Sequence, residues 1–219
     1  MQPAARRLLA AALTLFAASA AADPKTDPPV PPGKIMGGIP VAVIGAGIDY
    51  TRPEIADRLL RDGEGEIVGF DFADSDRRPY STEADANATA GIVLAEGQTT
   101  QIVAVRTGPF DAFSLGRALY YAGRTPAKII LIDAQLMDTR STQPLLDPRS
   151  VIMLGKAARY FRDKLIVLPA GDDDRDLTTA WPEPERDLAN VLVVAAGDAT
   201  GPGAQSNRGE GILDIVTDG

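Results

Sequence analysis

Val41-Ala42-Val43-Ile44-Gly45-Ala46-Gly47-Ile48-Asp49-Tyr50-Thr51-Arg52-Pro53-Glu54-Ile55 is the stretch on which the reading of this chain turns. A short apolar run ends in Gly-x-Gly. A proline then stands where a helix can begin, because its missing N–H and fixed φ suit the first helical turn. A strand running into Gly-x-Gly is half of a dinucleotide-binding fingerprint, and Asp71 sits where the next strand ends. Two residues defeat that reading. Tyr50 stands where a third glycine would let helix and strand pack closely, and Pro53 starts the helix too late for its N-terminus to cradle a pyrophosphate.

Outward from this stretch, apolar runs alternate with helical patterns. Strands are predicted over 41–44, 66–70, 102–105, 128–132, 165–168 and 191–195. Helices are predicted over 53–61, 84–95, 112–123 and 150–162, the third with Phe113, Leu115, Leu119 and Tyr120 on its apolar side. Continuous apolar strands separated by helices predict an α/β domain of three layers with a central, mainly parallel sheet. Ligands and catalytic groups in such sheets sit at the carboxyl ends of the strands. The informative residues therefore follow Ile44, Ile132, Leu168 and Ala195, and open the helix near Asp85.

Composition removes several chemistries. The 219 residues contain no histidine and no cysteine. Histidine is the usual base that activates a serine or cysteine, so the Ser-His-Asp and Cys-His mechanisms lose their base, and thiolate chemistry and disulfides are absent. With 22 basic against 30 acidic residues the net charge is −8, which argues against nucleic acid or an anionic membrane surface as partner. Residues 1–22 read as a secretory signal: Arg6 and Arg7, an apolar run over 8–18 too short to span a bilayer, and small residues for cleavage. A secreted or periplasmic location is expected, with no membrane insertion after cleavage. Residues 23–39, rich in Pro and Gly, read as an extended linker, and 40–219 as one domain.

The segment from Gly45 to Ile55 resembles the first catalytic segment of the subtilases, the subtilisin-like serine proteases. There the pattern is Asp-Ser/Thr-Gly-Ile/Val-Asp, two variable residues, then His-Pro-Glu/Asp-Leu. Gly69-Phe70-Asp71-Phe72 is similar to the family's next strand, and Asp85-Ala86-Asn87-Ala88-Thr89-Ala90-Gly91 falls where subtilases carry His-Gly-Thr-His-Val-Ala-Gly. Pro169-Ala170-Gly171-Asp172 resembles the Ala-Ala-Gly-Asn turn, and Ser206-Asn207-Arg208-Gly209 the Ser-Asn-Tyr/Phe-Gly segment. These segments run in family order from about Pro40 to Gly219.

The departures fall on the chemistry. The resemblance places Gly45 at the triad aspartate, Asp85 at the triad histidine and Asp172 at the oxyanion-hole asparagine, where a carboxylate would repel a developing oxyanion. The family's other two histidines correspond to Arg52 and Ala88. Arg52 and the substrate-edge residues Gln135, Leu136 and Met137 are the expected cleft residues. The chain reaches Gly219 before any Gly-Thr-Ser nucleophile segment, so the expected architecture is subtilisin-like, lacking the nucleophile helix and the C-terminal part.

The expectation is an exported, catalytically inactive domain, not an enzyme, that binds a peptide or an envelope protein. The apolar surface left by a missing helix would be covered by self-association or by a separate complementing chain. The alternative is a truncated serine endopeptidase, or an acid-working one like the sedolisins, which share the fold and place acids at the histidine and oxyanion positions, as Asp85 and Asp172 do here. No cofactor is expected. The family's calcium sites would draw on Glu54, and carboxylates also gather at Asp71, Asp74 and Asp76 and at Asp172, Asp173, Asp174 and Asp176, but without an EF-hand ligand order solvated loop acids account for them.

Overall fold

The structure, a computed structural model, describes residues 27–35, 37–108, 111–133, 148–179 and 181–218, without the side chains of Asp85 and Ala86. Strand β1 (Ile39–Gly45) lies at the centre, flanked by β3 (Thr100–Arg106) and β4 (Ile129–Ile132), both parallel to it. Outward from β3 lies β2 (Phe70–Asp71); outward from β4 lie β5 (Leu165–Pro169) and β6 (Val191–Asp198). Along the far side of β6 run the antiparallel β7 (Gly201–Pro202) and the parallel β8 (Ile215–Thr217). The sheet is thus mainly parallel, as the apolar runs predict. The two short outer strands carry too little apolar pattern to be read from sequence.

Helices α1 (Pro53–Ala56) and α2 (Ala84–Glu96) lie on one face; α3 (Ala112–Arg124) and α4 (Pro148–Tyr160) cover the other. The alternation within each strand decides which helix it meets. Ala42, Ile44, Val103 and Val105 pack with Leu115, Leu119, Val151 and Leu154 of α3 and α4. Val41, Val43, Ile102 and Ala104 pack with Ile55, Leu59 and Ala90. Fully burying one such Val or Ile contributes about 1.5–3 kcal/mol.

Over β4, β5 and β6 the two faces differ. Ile130, Ile132, Ile166, Leu168, Val193 and Ala195 are buried, whereas the alternate residues Leu131, Val167 and Val194 are only half-buried. Among the described residues this half of the sheet keeps its α2-side face partly open.

Two expected helical features are corrected. The helix opened by Pro53 ends at Ala56 and does not reach residue 61. The chain turns into the sheet instead: Ile102 N–H donates to Arg58 O, Leu60 N–H to Ile102 O, and Arg58 reaches the carbonyls of Gly97 and Thr100. On α3, Leu115, Ala118, Leu119 and Ala122 form the buried face, while Phe113 and Tyr120 are exposed. These two aromatics lie seven positions apart, two helical turns along one stripe beside the core-facing one.

The extended segment before β1 is held down at two points. Tyr50 Oη donates to Pro28 O at 2.9 Å, and Arg61 Nη2 donates to Pro31 O at 2.8 Å. Among the described residues no helix is long and apolar enough to cross a membrane.

Candidate functional site

The carboxyl end of β1 is shaped by its two glycines. Gly47 has φ +103°, and a Cβ there would lie 2.9 Å from Pro79 O and 2.8 Å from Arg106 Cδ, so only glycine fits without strain. The turn beyond it is tied to α2 by Asn87. Its Oδ1 accepts from Asp49 N at 2.6 Å, and its Nδ2 donates to the carbonyls of Ser81 and Glu83. Asn87 therefore fixes the start of α2, the segment with Asp85 as its second residue, against the loop that follows β1.

Gly45 has a different reason to be glycine. A Cβ built there would stand 3.1 Å from Asp133 Cβ and 3.2 Å from Asp133 Oδ2. Asp133 follows β4, and its N–H continues the ladder by donating to Ile44 O at 2.9 Å. The register that pairs Ile44 with Ile132 thus sets position 133 beside position 45. The Asp133 carboxylate, 3% exposed as a residue, fills the space a side chain on Gly45 would need. Its Oδ1 accepts a hydrogen bond from Thr89 Oγ1 at 3.0 Å, one helical turn beyond Asp85. An acid is therefore present at this strand end, delivered from β4 and committed to a hydroxyl on α2.

Beside it opens a cleft of about 320 Å³ along the carboxyl ends of β4, β5, β6 and β8, lined by Thr89, Leu131, Asp133, Val167, Val194 and Thr217 among others. This is the crevice position at which open α/β sheets hold ligands. It lies on the partly open face of the sheet, so its walls are apolar and its polar groups few.

The turn after β5 is organised from below. Gly171 has φ +94° and Asp174 φ +54°. Buried Asn207 holds the turn at three points: its N–H donates to Gly171 O, its Nδ2 to Ala170 O at 2.9 Å, and its Oδ1 accepts from Arg175 N at 2.7 Å. Ser206 Oγ donates to Ala196 O at 2.6 Å. Asp172 is exposed at the tip of this turn.

Of the other residues singled out from the sequence, Arg52 is exposed and pairs with Glu54 at 2.5 Å, its neighbour two positions on. Hydrogen bonds, first from its own backbone and then from Arg52, hold the Glu54 carboxyl below its ordinary range. Gln135, Leu136 and Met137 lie outside the described residues. Asp133 is the residue sequence reasoning missed, although it follows Ile132 directly.

Both carboxylate-rich turns are engaged by the chain itself. Arg106 Nη1 lies 2.7 Å from Asp71 Oδ2 and 2.7 Å from Asp74 Oδ2, and Asp71 Oδ1 accepts from the N–H groups of Ala73 and Asp74. Asp27 and Asp76 bring further oxygens within 4.8 Å of those of Asp71. A guanidinium thus already engages the Asp71 and Asp74 carboxylates of this turn. In the second run Asp173 faces Arg175 at 3.6 Å and Asp174 pairs with Arg208. Asp176 accepts from both Oγ1 and N–H of Thr178, which hold its carboxyl below the ordinary range.

The sheet order, the helix arrangement and the glycine-bounded strand end define an α/β scaffold of the subtilisin-like serine protease type. No family model matches the chain. It is 29% identical over 176 residues to a thermophilic serine proteinase of Bacillus sp. (strain AK1), a match covering 74% of this chain and 39% of that protein. Among solved structures it is similar in fold to the epidermin leader peptide processing serine protease EpiP from Staphylococcus aureus (TM-score 0.59, 15% identical, 83% of this chain and 52% of that one). A lanthipeptide protease gives TM-score 0.58 at 17% identity over 83% of this chain and 55% of that one. The nisin leader peptidase NisP from Lactococcus lactis gives 0.53 at 14%, over 81% and 61%. The chain therefore spans about two fifths of the curated relative and about half of the first two structures.

Proposed function

We propose that this chain is an exported subtilisin-like domain that binds a polypeptide segment without hydrolysing it. One observation carries the reading: the carboxylate at the end of β1 comes from Asp133, fills the space beside Gly45 and is bonded to Thr89. It holds α2 against the sheet. A triad acid instead has to orient an imidazole, and this sequence contains none. The choice of a polypeptide ligand rests on the cleft over β4, β5 and β6, whose lining is mostly apolar with a few polar groups such as Thr89, Asp133 and Thr217. The similarity to proteins named for processing leader peptides supports the same ligand class. The partly open sheet face gives a partner protein, a complementing chain or a second copy an apolar surface to cover.

Incubating the purified protein with casein at neutral pH, and with a fluorophosphonate probe, tests this. Neither cleavage nor labelling is expected. Labelling that one serine substitution abolishes would overturn the proposal. Cleavage at about pH 4 that resists pepstatin would replace it with the acid-peptidase reading, in which paired carboxyls do the proton transfers.

A further inference from the structure

A second surface lies on the opposite side of the sheet, between α3 and α4. Phe113, Tyr120 and Met153 line a groove of about 520 Å³ there together with Arg117, Lys156 and Tyr160. That volume lies within the range of about 300–1,000 Å³ common for binding clefts. Phe113 is 71% exposed, Tyr160 69% and Tyr120 48%, on a chain that buries its other large apolar residues well in this region. The rings are ordered against one another: Tyr120 lies 6.1 Å from Tyr160 and 5.8 Å from Phe161, and Tyr160 meets Phe161 edge-on at 4.8 Å.

The charge pattern is as distinctive as the apolar one. Helix α3 carries Arg117 and Arg124, and α4 carries Arg149, Lys156 and Arg159, while neither helix contains an aspartate or glutamate. This occurs on a chain of net charge −8. Of the neighbouring acids, Asp111 caps α3 and Asp163 pairs with Lys128 at 3.3 Å, while Glu185 takes up Arg159 at 2.7 Å. Among the described residues none of these three pairs with Arg117 or Lys156 at the groove margin. Arg117 lies over Phe72 and Phe113, and Arg124 over Tyr120, so the cations border the rings of the groove.

We propose that this groove docks an acidic, amphipathic segment of a partner protein, with apolar side chains between the aromatic rings and carboxylates along the Arg117 and Lys156 margins. Aromatic and arginine side chains in a desolvated pocket are the typical anchors of such interfaces. Charge complementarity selects the occupant. A second copy meeting this face about a two-fold axis would set like charges against each other, since such an interface opposes a patch to itself.

The test uses the full chain and two fluorescent synthetic helical peptides with leucine and phenylalanine on one face. One carries glutamates on the other face, its counterpart lysines. Anisotropy should show saturable binding of the glutamate peptide alone, weakened about tenfold or more by added salt. Lys156→Glu combined with Arg117→Glu should weaken it at least about tenfold, and Tyr160→Ala about tenfold, with unchanged circular dichroism. Thr89→Val, in the cleft on the other face, should leave it unchanged. No binding, equal binding of both peptides, or loss through Thr89→Val instead of the groove variants would overturn the proposal. So would a dimer dissociated by the groove variants, which makes the occupant a second copy, or binding to phosphatidylglycerol vesicles that those variants abolish.

Discussion

If Asp133 supplies from β4 the carboxyl group that Gly45 lacks, moving the carboxyl back to β1 should be tolerated only when Asp133 is removed. Gly45→Asp alone places a second carboxyl against the first, where even a Cβ stands 3.1–3.2 Å from Asp133 Cβ and Oδ2. Overpacking a fixed neighbour costs about 1–3 kcal/mol, and a second buried negative charge adds to this. A total of about 2–4 kcal/mol is expected, which lowers Tm by roughly 5–15 °C in a domain of this size. Asp133→Gly alone loses the bond to Thr89, about 1.5–3 kcal/mol for an ionised acceptor. In the double variant the crowding is gone and one carboxyl remains, so its deficit should fall short of the sum by about 2 kcal/mol, within the coupling expected of residues in contact. Urea and thermal unfolding followed by circular dichroism measure all four corners of the cycle. The sign with pH follows. Two like charges in contact disfavour the doubly ionised form, so the penalty of Gly45→Asp is greatest at neutral pH and shrinks as acid protonates the pair. Additivity within about 0.5 kcal/mol would refute the claim that the two positions share one carboxyl site.

Two further outcomes follow from the packing. Asn207→Ala removes the amide bonds to Ala170 O and Arg175 N in a buried turn and should cost about 2–3 kcal/mol, read as a lower urea midpoint with unchanged slope. Burial raises the phenols of Tyr50 and Tyr121 above their ordinary value of 10.0, with Asp27 adding to the effect at Tyr50. Their folded-state preference for the neutral form costs nothing below that value, and stability should fall as pH rises past it. Ultraviolet difference titration should therefore show these two of the five tyrosines ionising only as circular dichroism reports unfolding, and with Tyr50→Phe the tie to Pro28 O is lost, so the segment before β1 should be cut sooner by added protease.

The sheet was legible because strands covered on both sides must be apolar throughout, which separates Val41–Ile44 and Ile102–Val105 from everything around them. The glycine at position 47 was legible as part of a turn. The reason for Gly45 was not, because it lies across the sheet: only the β1–β4 register places Asp133 beside it, and no local pattern encodes a parallel register between residues 88 positions apart. The groove was hidden for a related reason. Helical periodicity counts Phe113 and Tyr120 with Leu115 and Leu119 as one apolar side, and only the position of α4 separates the residues that meet the core from those left at the surface. The short α1 likewise depended on a distant partner, the carbonyls of Gly97 and Thr100 that take up Arg58.

The placement of the Asp133 carboxyl also bears on what the scaffold can do. A triad acid works by holding a base in one tautomer at a fixed distance, so its hydrogen-bonding oxygen must face the base. Asp133 directs Oδ1 to Thr89, a turn farther along α2 than Asp85, and the Thr89 hydroxyl neither titrates near neutral pH nor carries protons between reacting groups. What the same bond does provide is rigidity: it joins α2 to the end of β4 at the mouth of the cleft, where Leu131, Val167 and Val194 form an apolar wall. A fixed apolar wall with one buried carboxylate at its edge is the surface on which the proposed polypeptide binding would depend.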